Sequence, residues 1–321
     1  MAKKYLIIQT AFIGDVILAT PLVESLKKND SKNQIDVLVK KENSSVLKNN
    51  RNINEVYTLD KSKKIKSIFS LIRKFRKNEY ETVINLHRFA SSGIITTLCK
   101  AKEKRGFRKN PFSWFYNKKF DHNIENGIHE VDRNLSLIED LIAEPVRRPH
   151  IDIAEGIYKK LLTYQSKTYY CLAPASVWET KAAPLSVWTK LIEKLCTDDC
   201  HIFLLGGPDD FEKCEKLKNE LKNSHISNLC GKLSLIESAG LMKNAKRNYV
   251  NDSAPLHLAS SVNAPVSVFY CSTSPKFGFG PLSDDAKIIE VNNLTCKPCG
   301  LHGHKTCPKG HFKCGNDLSL G

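Results

Sequence analysis

Short apolar runs alternate along this chain with longer segments in which apolar residues recur every three or four positions. The runs predict buried strands, and the periodic segments predict amphipathic helices. A helix is predicted to open at Gly14, residues 103–128 to form irregular loops, and residues 144–149 to form a linker rich in proline and arginine. The other predicted elements are strands at 5–8, 35–39, 55–59, 82–86, 169–173, 201–205, 228–230, 248–250 and 266–270, and helices at 65–77, 129–141, 186–195 and 209–221.

The alternation of strands with helices on both sides of the linker is typical of parallel α/β sheets. A chain of 321 residues is long for a single core, so we predict two domains, residues 1–150 and 151–321. Because ligands bind such sheets at the carboxyl ends of the strands, the loops that follow the strands are the candidate sites of chemistry.

Positive charge is concentrated in the first half of the chain. Residues 1–150 contain 29 Lys and Arg against 17 Asp and Glu, a balance of +12, whereas residues 151–321 contain 20 against 17, a balance of +3. Such a field attracts nucleic acid, anionic lipid or a phosphorylated saccharide, unless it reflects a lysine-rich composition alone. The apolar runs are too short to span a bilayer, and Asp15 interrupts the first one, so we expect a cytoplasmic protein without a signal peptide.

Three loops at predicted strand ends carry candidate residues. Asp15 is either a helix cap or a general base, and Gly14 beside it allows the close approach of a substrate. Residues 176–181, which include Ser176, Thr180 and Lys181, form either a solvated loop or a phosphate-binding loop.

The third loop follows the predicted strand at 248–250. Asp252 could bind sugar hydroxyls, backbone amides at 253–256 could face an anion, and His257 is either a ligand contact or a packing residue. Gly206 and Gly207 add a turn at the same edge. No Walker A or Gly-x-Gly-x-x-Gly pattern occurs, which disfavours a P-loop ATPase or a nicotinamide enzyme.

Taken in order, six blocks of sequence identify a family resemblance. The chain resembles glycosyltransferase family 9, the ADP-heptose:lipopolysaccharide heptosyltransferases, and especially the heptosyltransferase II branch. The blocks are residues 8–21 (IQTAFIGDVILATP), 172–181 (LAPASVWETK), 203–208 (FLLGGP), 251–259 (NDSAPLHLA), 273–275 (TSP) and the cysteine-rich segment 296–314.

The resemblance implies a GT-B fold, in which two Rossmann-like domains with parallel sheets face each other across a cleft. Residues 1–150 would bind the acceptor and residues 151–321 the nucleotide sugar, in an inverting transfer of heptose. Asp15 matches the catalytic base and Lys181 the lysine that contacts the donor phosphates. The other implied donor contacts are Ser176, Thr180, Gly206, Gly207, Asp252, Ser253, Ala254, Pro255, Leu256 and His257, and the proposed acceptor contacts are Gly14, Arg88, Arg105 and Arg108.

The implied partners are ADP-heptose, an acceptor of the Kdo–lipid A type (Kdo is an acidic sugar) and the anionic inner face of the inner membrane, with no nucleic acid. No cofactor or catalytic metal is expected, because electrostatic stabilisation by the protein would replace it. Residues 61–77 contain eight Lys and Arg and no acid. This segment is either a helix with a solvated basic face or a contact with anionic lipid.

The chain departs from the family pattern in three places. Ala175 replaces a common glycine, and Ala182 and Ala183 follow Lys181 where the family commonly has a basic or amide residue and an aromatic one. Relatives usually continue after the last cysteine with a closing helix, whereas this sequence stops at Gly321, so we expect a chain that is either naturally short or truncated.

Four cysteines lie close together near the end of the sequence. The spacing of Cys296, Cys299, Cys307 and Cys314 is compatible with tetrahedral zinc, whereas the resemblance favours packed or redox-labile thiols. Three alternatives to heptose transfer remain open. They are a family 9 transferase with a different nucleotide sugar or glycan acceptor, a basic zinc-bearing nucleic-acid-binding protein, and a GT-B nucleotide-sugar epimerase.

Overall fold

A computed structural model describes residues 2–124, 126–196 and 200–320 of the chain. The chain divides into two compact units, Met1–Asp152 and Ile153–Gly321. The division therefore lies two residues beyond the boundary that the sequence predicts at 150. The binding roles assigned to the two domains stay predictions.

The first unit is a six-stranded parallel sheet in the order β3-β2-β1-β4-β5-β6. Its strands are β1 (Lys4–Gln9), β2 (Gln34–Lys40), β3 (Glu55–Leu59), β4 (Tyr80–Asn85), β5 (Ala101–Phe107) and β6 (Lys118–Phe120). Its helices are α1 (Ile13–Ile17), α2 (Thr20–Asn29), α3 (Lys64–Lys77), α4 (Ala90–Leu98) and α5 (Glu130–Ser136).

The centre of this sheet is apolar on both faces. Ile7 of β1 lies opposite Val37 of β2 and Ile84 of β4. On one face, Leu6 and Ile8 belong to the core cluster that Phe75 of α3 completes. Strands covered on both faces have continuous apolar runs, which is why β1, β2 and β4 could be recognised from sequence.

The second unit is also a six-stranded parallel sheet, in the order β12-β11-β10-β7-β8-β9. Trp188 is fully buried and packs edge-on against Phe269. The strands are β7 (Thr168–Ala173), β8 (Cys200–Leu204), β9 (Ile226–Asn228), β10 (Arg247–Asn251), β11 (Val266–Tyr270) and β12 (Ala286–Glu290). The helices are α6 (Glu155–Leu161), α7 (Leu185–Leu195), α8 (Phe211–Leu221), α9 (Leu235–Asn244), α10 (Ala254–Ser261) and α11 (Lys313–Asn316).

Both sheets have the same doubly wound strand order. In each, the first three strands run outward to one side and the fourth strand returns to pair with the first. The order therefore reverses between β1 and β4 in the first unit and between β7 and β10 in the second. Ligands bind outside the carboxyl ends of the strands at such switch points, so the loops after these four strands are the expected sites.

The prediction of irregular loops over residues 103–128 is wrong at two places, because β5 lies partly and β6 wholly within that range. Four of the seven residues of β5 are charged, and this composition hides the strand from an analysis of apolar patterns. The strand forms because β4 pairs with it along its length and because Arg105 is neutralised inside the unit by acidic neighbours.

Further elements differ from their predicted bounds, among them the helix predicted at 129–141, because α5 ends at Ser136. The helix predicted to open at Gly14 is split into α1 and α2, because Pro21 fits the first turn of a new helix but cannot continue an old one. The strand predicted at 228–230 lies at Ile226–Asn228. Within the described parts of the chain, no helix combines the length and the apolar composition needed to cross a bilayer.

Candidate active site

Asp15 lies in α1, directly after β1 and therefore at the switch point of the first sheet. Its Oδ2 accepts a hydrogen bond of 3.0 Å from the backbone N–H of Phe12, the residue that precedes the helix. This bond orients the carboxylate. The capping role and the catalytic role considered from the sequence are thus compatible in one residue.

The surroundings of Asp15 raise the pKa of its carboxyl group. Burial, followed by the negative charge of Glu130, raises the pKa of Asp15 to about 6, although backbone hydrogen bonds and Lys40 oppose the shift. Glu130 is itself buried at the start of α5 and pairs with Arg133 and His122. A carboxylate with a pKa near the working pH is an effective general base.

A second polar pair lies at the same switch point. Thr10 follows β1 and His87 follows β4, and the Thr10 hydroxyl lies 2.8 Å from Nδ1 of His87. Burial, followed by the positive charges of Lys40, Lys61 and Arg88, lowers the pKa of His87 to about 4. His87 is therefore neutral near pH 7. The sequence alone did not indicate that His87 lies at this switch point.

Lys181 and Asp252 meet at the switch point of the second sheet. Lys181 follows β7 and Asp252 follows β10, and Nζ of Lys181 lies 2.8 Å from Oδ2 of Asp252 in a largely buried pair. The Thr273 hydroxyl, after β11, donates to the same oxygen at 2.6 Å. Lys181 and Asp252 are 71 positions apart in sequence, and the sheet topology brings them together.

Asn251 helps to fix this arrangement, although its position in the sequence did not indicate such a role. Its side-chain amide is fully buried and donates to the carbonyls of Pro174 at 3.0 Å and Ala173 at 3.3 Å. Its Oδ1 accepts from the backbone N–H of Ala183 at 2.9 Å. Asn251 thus holds the loop after β7, which carries Lys181, against the end of β10.

The start of α10 faces the same edge of the sheet. Of the amides at 253–256, Pro255 has no N–H and the N–H of Leu256 already bonds to Ser253 at 3.0 Å. The expectation of four anion-facing amides is therefore corrected to two, those of Ser253 and Ala254. Leu256 and His257 are buried in α10. The positive end of the helix remains suited to an anion.

The family is decided by comparison with known sequences. The sequence model of glycosyltransferase family 9, the heptosyltransferases, matches residues 68–311. The chain belongs to glycosyltransferase family 9. It is therefore a glycosyltransferase, as the six sequence blocks predicted.

Individual relatives agree with this assignment. Lipopolysaccharide heptosyltransferase 3 of Escherichia coli is 27% identical over 282 residues, covering 83% of this chain and 83% of the relative. The structure of E. coli ADP-heptose LPS heptosyltransferase II matches with a TM-score of 0.78 at 21% identity, covering 98% of each chain. That of E. coli heptosyltransferase WaaC with ADP matches with a TM-score of 0.73 at 20% identity, covering 89% of this chain and 92% of that one. These matches confirm the GT-B fold of two Rossmann-like domains for this glycosyltransferase.

Within the glycosyltransferase, several predicted donor contacts have structural roles instead. The Thr180 side chain is buried and bonds to the Ser272 hydroxyl at 3.1 Å and to the His304 amide at 2.7 Å, so its expected donor contact is corrected. Gly206 is required for packing, because a Cβ there would lie 2.7 Å from the Asp210 carboxylate. Gly207 and Ser176 lie at the expected edge of the sheet. The Gly207 N–H donates to the Asp210 carboxylate, and the Ser176 hydroxyl accepts from the Trp178 amide at 3.4 Å.

Of the predicted acceptor contacts, Arg105 is bonded inside the protein, whereas Arg88 and Arg108 are exposed. Arg105 is 1% exposed, and its guanidinium donates to Glu103, Asp140 and the carbonyl of Leu137. All of its N–H groups are used in that cluster, so the expectation that Arg105 binds the acceptor is corrected. Arg88 and Arg108 are exposed in the loops after β4 and β5, at the edge that carries Gly14 and Asp15.

The cysteine-rich segment does not bring together the ligands of the zinc site that its spacing left open as an alternative. Among the residues that the structure describes, no three His, Cys, Asp or Glu side chains are arranged to hold a metal ion. Cys314 is 4% exposed and packs in the core of the second unit, while the Cys299 thiol donates to the carbonyl of Cys296 at 3.1 Å.

The segment instead packs against the loop after β7 that carries Lys181. The backbone N–H of Cys299 bonds to the Ser272 carbonyl at 2.8 Å, and the His302 ring stacks on Trp178. A Cβ on Gly303 would lie 2.8 Å from the Lys181 side chain, so close packing at this point depends on glycine. The cysteine-rich segment thus buttresses the loop that positions Lys181.

Proposed function

We propose that this family 9 glycosyltransferase transfers heptose from ADP-L-glycero-D-manno-heptose to a hydroxyl of the lipopolysaccharide inner core, with inversion at the anomeric carbon. The observation that carries the proposal is the Lys181–Asp252 pair, 2.8 Å apart at the switch point of the second sheet. It combines a cation for a diphosphate with a carboxylate for sugar hydroxyls. The names of the relatives and the ADP bound in one of their structures support the choice of donor.

In the proposed reaction, Asp15 acts as the general base. Its carboxylate accepts the proton of the acceptor hydroxyl while that oxygen attacks the anomeric carbon. The bond between the anomeric carbon and the β-phosphate oxygen breaks, and ADP leaves with the electron pair. A pKa of about 6 keeps Asp15 ionised at neutral pH yet basic enough to take the proton.

Charge on the departing ADP would be stabilised by the second unit. Lys181 supplies a full positive charge, and the amides of Ser253 and Ala254 with the dipole of α10 supply partial ones. Asp252 would bind heptose hydroxyls and at the same time keep Lys181 in place. Because hydrogen bonds from Thr273 and through Asn251 hold this pair in place, little reorganisation would be needed when the donor binds.

We also place the protein at the anionic inner face of the inner membrane. Helix α3 buries Leu71, Ile72 and Phe75, yet Phe69 is 69% exposed and Ile65 is exposed beside it. Trp114, in the loop after β5, is 84% exposed. Exposed aromatic and aliphatic side chains among lysines and arginines are suited to the interface of an anionic bilayer.

The test of the reaction is ADP release from ADP-L-glycero-β-D-manno-heptose, with and without heptosyl-Kdo2-lipid A. Release that depends on the acceptor supports the proposal. Donor binding without release indicates a different acceptor. If ADP-heptose does not bind but another nucleotide sugar from a panel does, that sugar replaces heptose as the proposed donor. The family assignment is then unchanged.

The membrane contact is tested separately by sedimentation with vesicles. We expect binding to vesicles that contain phosphatidylglycerol and little binding to neutral ones. Phe69→Ser together with Ile65→Ser should weaken the binding. Leu98→Ser, at an exposed apolar residue of α4, is the matched control. Equal sedimentation of all variants would contradict a membrane role for α3.

A further inference from the structure

The cysteine-rich segment begins with a Cys-x-x-Cys motif, Cys296-Lys297-Pro298-Cys299. Cysteines separated by two residues form reversible disulfides in many redox proteins. Cys314 of the same segment is buried in the core of the second unit, whereas Cys296 and Cys299 are partly exposed thiols. The motif is therefore accessible to reagents in solution.

The two cysteines of the motif are already in contact. The Cys299 thiol donates to the carbonyl oxygen of Cys296 at 3.1 Å, so its sulfur lies against the backbone of its neighbour. A bond between the two sulfur atoms would replace this hydrogen bond. The narrow geometry of a disulfide would then set the position of the Cys299 backbone.

A histidine adjoins the first cysteine. Nε2 of His311 lies 3.9 Å from the sulfur of Cys296. The backbone N–H of Lys313 donates to Nδ1 of His311 at 3.1 Å, which leaves the proton of a neutral ring on Nε2. An N–H directed at the sulfur stabilises the thiolate of Cys296, and the thiolate is the nucleophile in disulfide exchange.

The backbone of Cys299 is bonded to the loop that carries Lys181. Its N–H donates to the Ser272 carbonyl at 2.8 Å, and its carbonyl oxygen lies 3.2 Å from Nε2 of His304. The backbone N–H of His304 donates to the Thr180 hydroxyl at 2.7 Å, and the Thr180 N–H donates to the His304 carbonyl at 3.1 Å. Because Thr180 precedes Lys181, a displacement of Cys299 would reach the lysine through a single intervening residue.

We propose that Cys296 and Cys299 form a redox modification site, at which a low-molecular-weight disulfide such as glutathione disulfide converts the two thiols into a disulfide and displaces Lys181 from its donor-binding position. The modification itself does not depend on the proposed function, whereas its effect on heptose transfer rests on it.

The modification consists of two successive exchanges. The Cys296 thiolate attacks one sulfur of glutathione disulfide, whose S–S bond breaks and releases the first glutathione. The Cys299 sulfur then attacks the mixed disulfide at Cys296 and releases the second. Two protein thiols are oxidised, one glutathione disulfide is reduced to two thiols, and the two protein protons pass to the released glutathiones.

Mass spectrometry of the full chain tests the modification site. The protein is incubated with glutathione disulfide, its remaining thiols are alkylated, and its peptides are mapped. We expect a bond between Cys296 and Cys299 that dithiothreitol reverses and that Cys296→Ser and Cys299→Ser abolish. Cys307→Ser is the matched control, because Cys307 is a partly exposed thiol of the same segment outside the motif, and it should leave the bond intact.

Two results would overturn the modification site. One is a product without the Cys296–Cys299 bond, such as a disulfide that includes Cys307. The other is a stoichiometric metal ion in the isolated protein, measured by elemental analysis, that is released when these thiols are alkylated.

ADP release tests the link to Lys181. Oxidation should lower kcat/KM for the donor roughly ten-fold to a hundred-fold, the scale on which catalysis responds to a misplaced group, and dithiothreitol should restore it. Cys296→Ser should match the reduced protein within about two-fold and should not respond to glutathione disulfide. A disulfide that leaves kcat/KM unchanged would overturn the link.

The two measurements separate this proposal from the proposed function. Formation of the disulfide in a protein that transfers no heptose when reduced retains the modification site and rejects the proposed function. Heptose transfer by a protein that forms no Cys296–Cys299 bond retains the proposed function and rejects the modification site.

Discussion

The switch points of the two sheets differ in how their charges are balanced. At the second, Lys181 and Asp252 neutralise each other at 2.8 Å, and Asn251 and Thr273 hold them in place. At the first, Asp15 has a pKa raised to about 6 and Lys40 has no acidic partner at salt-bridge distance among the described residues.

This difference suggests a division of labour within one fold. A neutral, hydrogen-bonded pair is preorganised, so it can bind a charged ligand without first rearranging. A strongly shifted pKa indicates that a group is in an unfavourable environment, which a bound substrate can improve. Groups with such pKa values cluster at functional sites. In the proposed function, the second edge would therefore hold the nucleotide sugar, and the first would activate the acceptor.

The largest expected effect on catalysis comes from Asp15→Asn. The amide keeps the hydrogen bond from Phe12 but cannot accept a proton, so turnover should fall by roughly two to four powers of ten. Steady-state ADP release measures turnover, and donor titration should show unchanged affinity. Full turnover in this variant would remove Asp15 from its proposed role.

Lys181→Met should have the next largest effect. It removes the cation at the leaving group, so kcat/KM for the donor should fall roughly a hundred-fold. It also leaves Asp252 unpaired, so the free energy of unfolding should fall by about 3 kcal/mol.

The double variant Lys181→Met/Asp252→Asn separates these two consequences. It should recover part of the stability lost in Lys181→Met, measured by chemical denaturation, without recovering activity. Recovery of donor turnover would show that Lys181 only neutralises Asp252 and does not act on the diphosphate.

The pH dependence of kcat/KM tests the environment of Asp15. Because protonation below a pKa of about 6 removes the base, kcat/KM should decline as the pH falls through this value. Glu130 raises that pKa, so Glu130→Gln should move the decline to lower pH. A shift to higher pH, or none in a variant of normal Tm, would contradict this electrostatic coupling.

Arg105→Met should have the smallest kinetic effect. The guanidinium is buried in a cluster with Glu103 and Asp140, so its loss should lower the free energy of unfolding by about 3 kcal/mol. The acceptor KM should stay within about two-fold, as for other residues outside the site. Thermal unfolding and acceptor titration of the same preparation measure both quantities. A large rise in KM without destabilisation would restore Arg105 as an acceptor contact.

Much of the fold could be predicted because its central strands are covered on both faces. The apolar runs of β1, β2, β4, β7 and β11 are a direct consequence of that burial. The charged strand β5 was missed because its neighbours, rather than its own composition, make it a strand. In β5, pairing with β4 and the buried ion pairs of Arg105 form a strand where the apolar pattern predicts none.

The candidate site was only partly predictable. Asp15, Lys181 and Asp252 lie in recognisable sequence blocks, and the structure places them at switch points. Thr180 lies in the loop that carries Lys181, and Arg105 lies in strand β5. The side chains of both are nevertheless bonded inside the protein. A sequence shows which groups are present but not which of them are already hydrogen-bonded.

The sequence by itself determined the alternation of strands and helices, the family and the loops that carry the candidate chemistry. These are consequences of local patterns, which depend on neighbours along the chain. Only the tertiary structure decided that Lys181 pairs with Asp252 and that Asn251 joins their loops. These contacts join residues from different strand ends, and the strand order that brings them together is not written in any one segment.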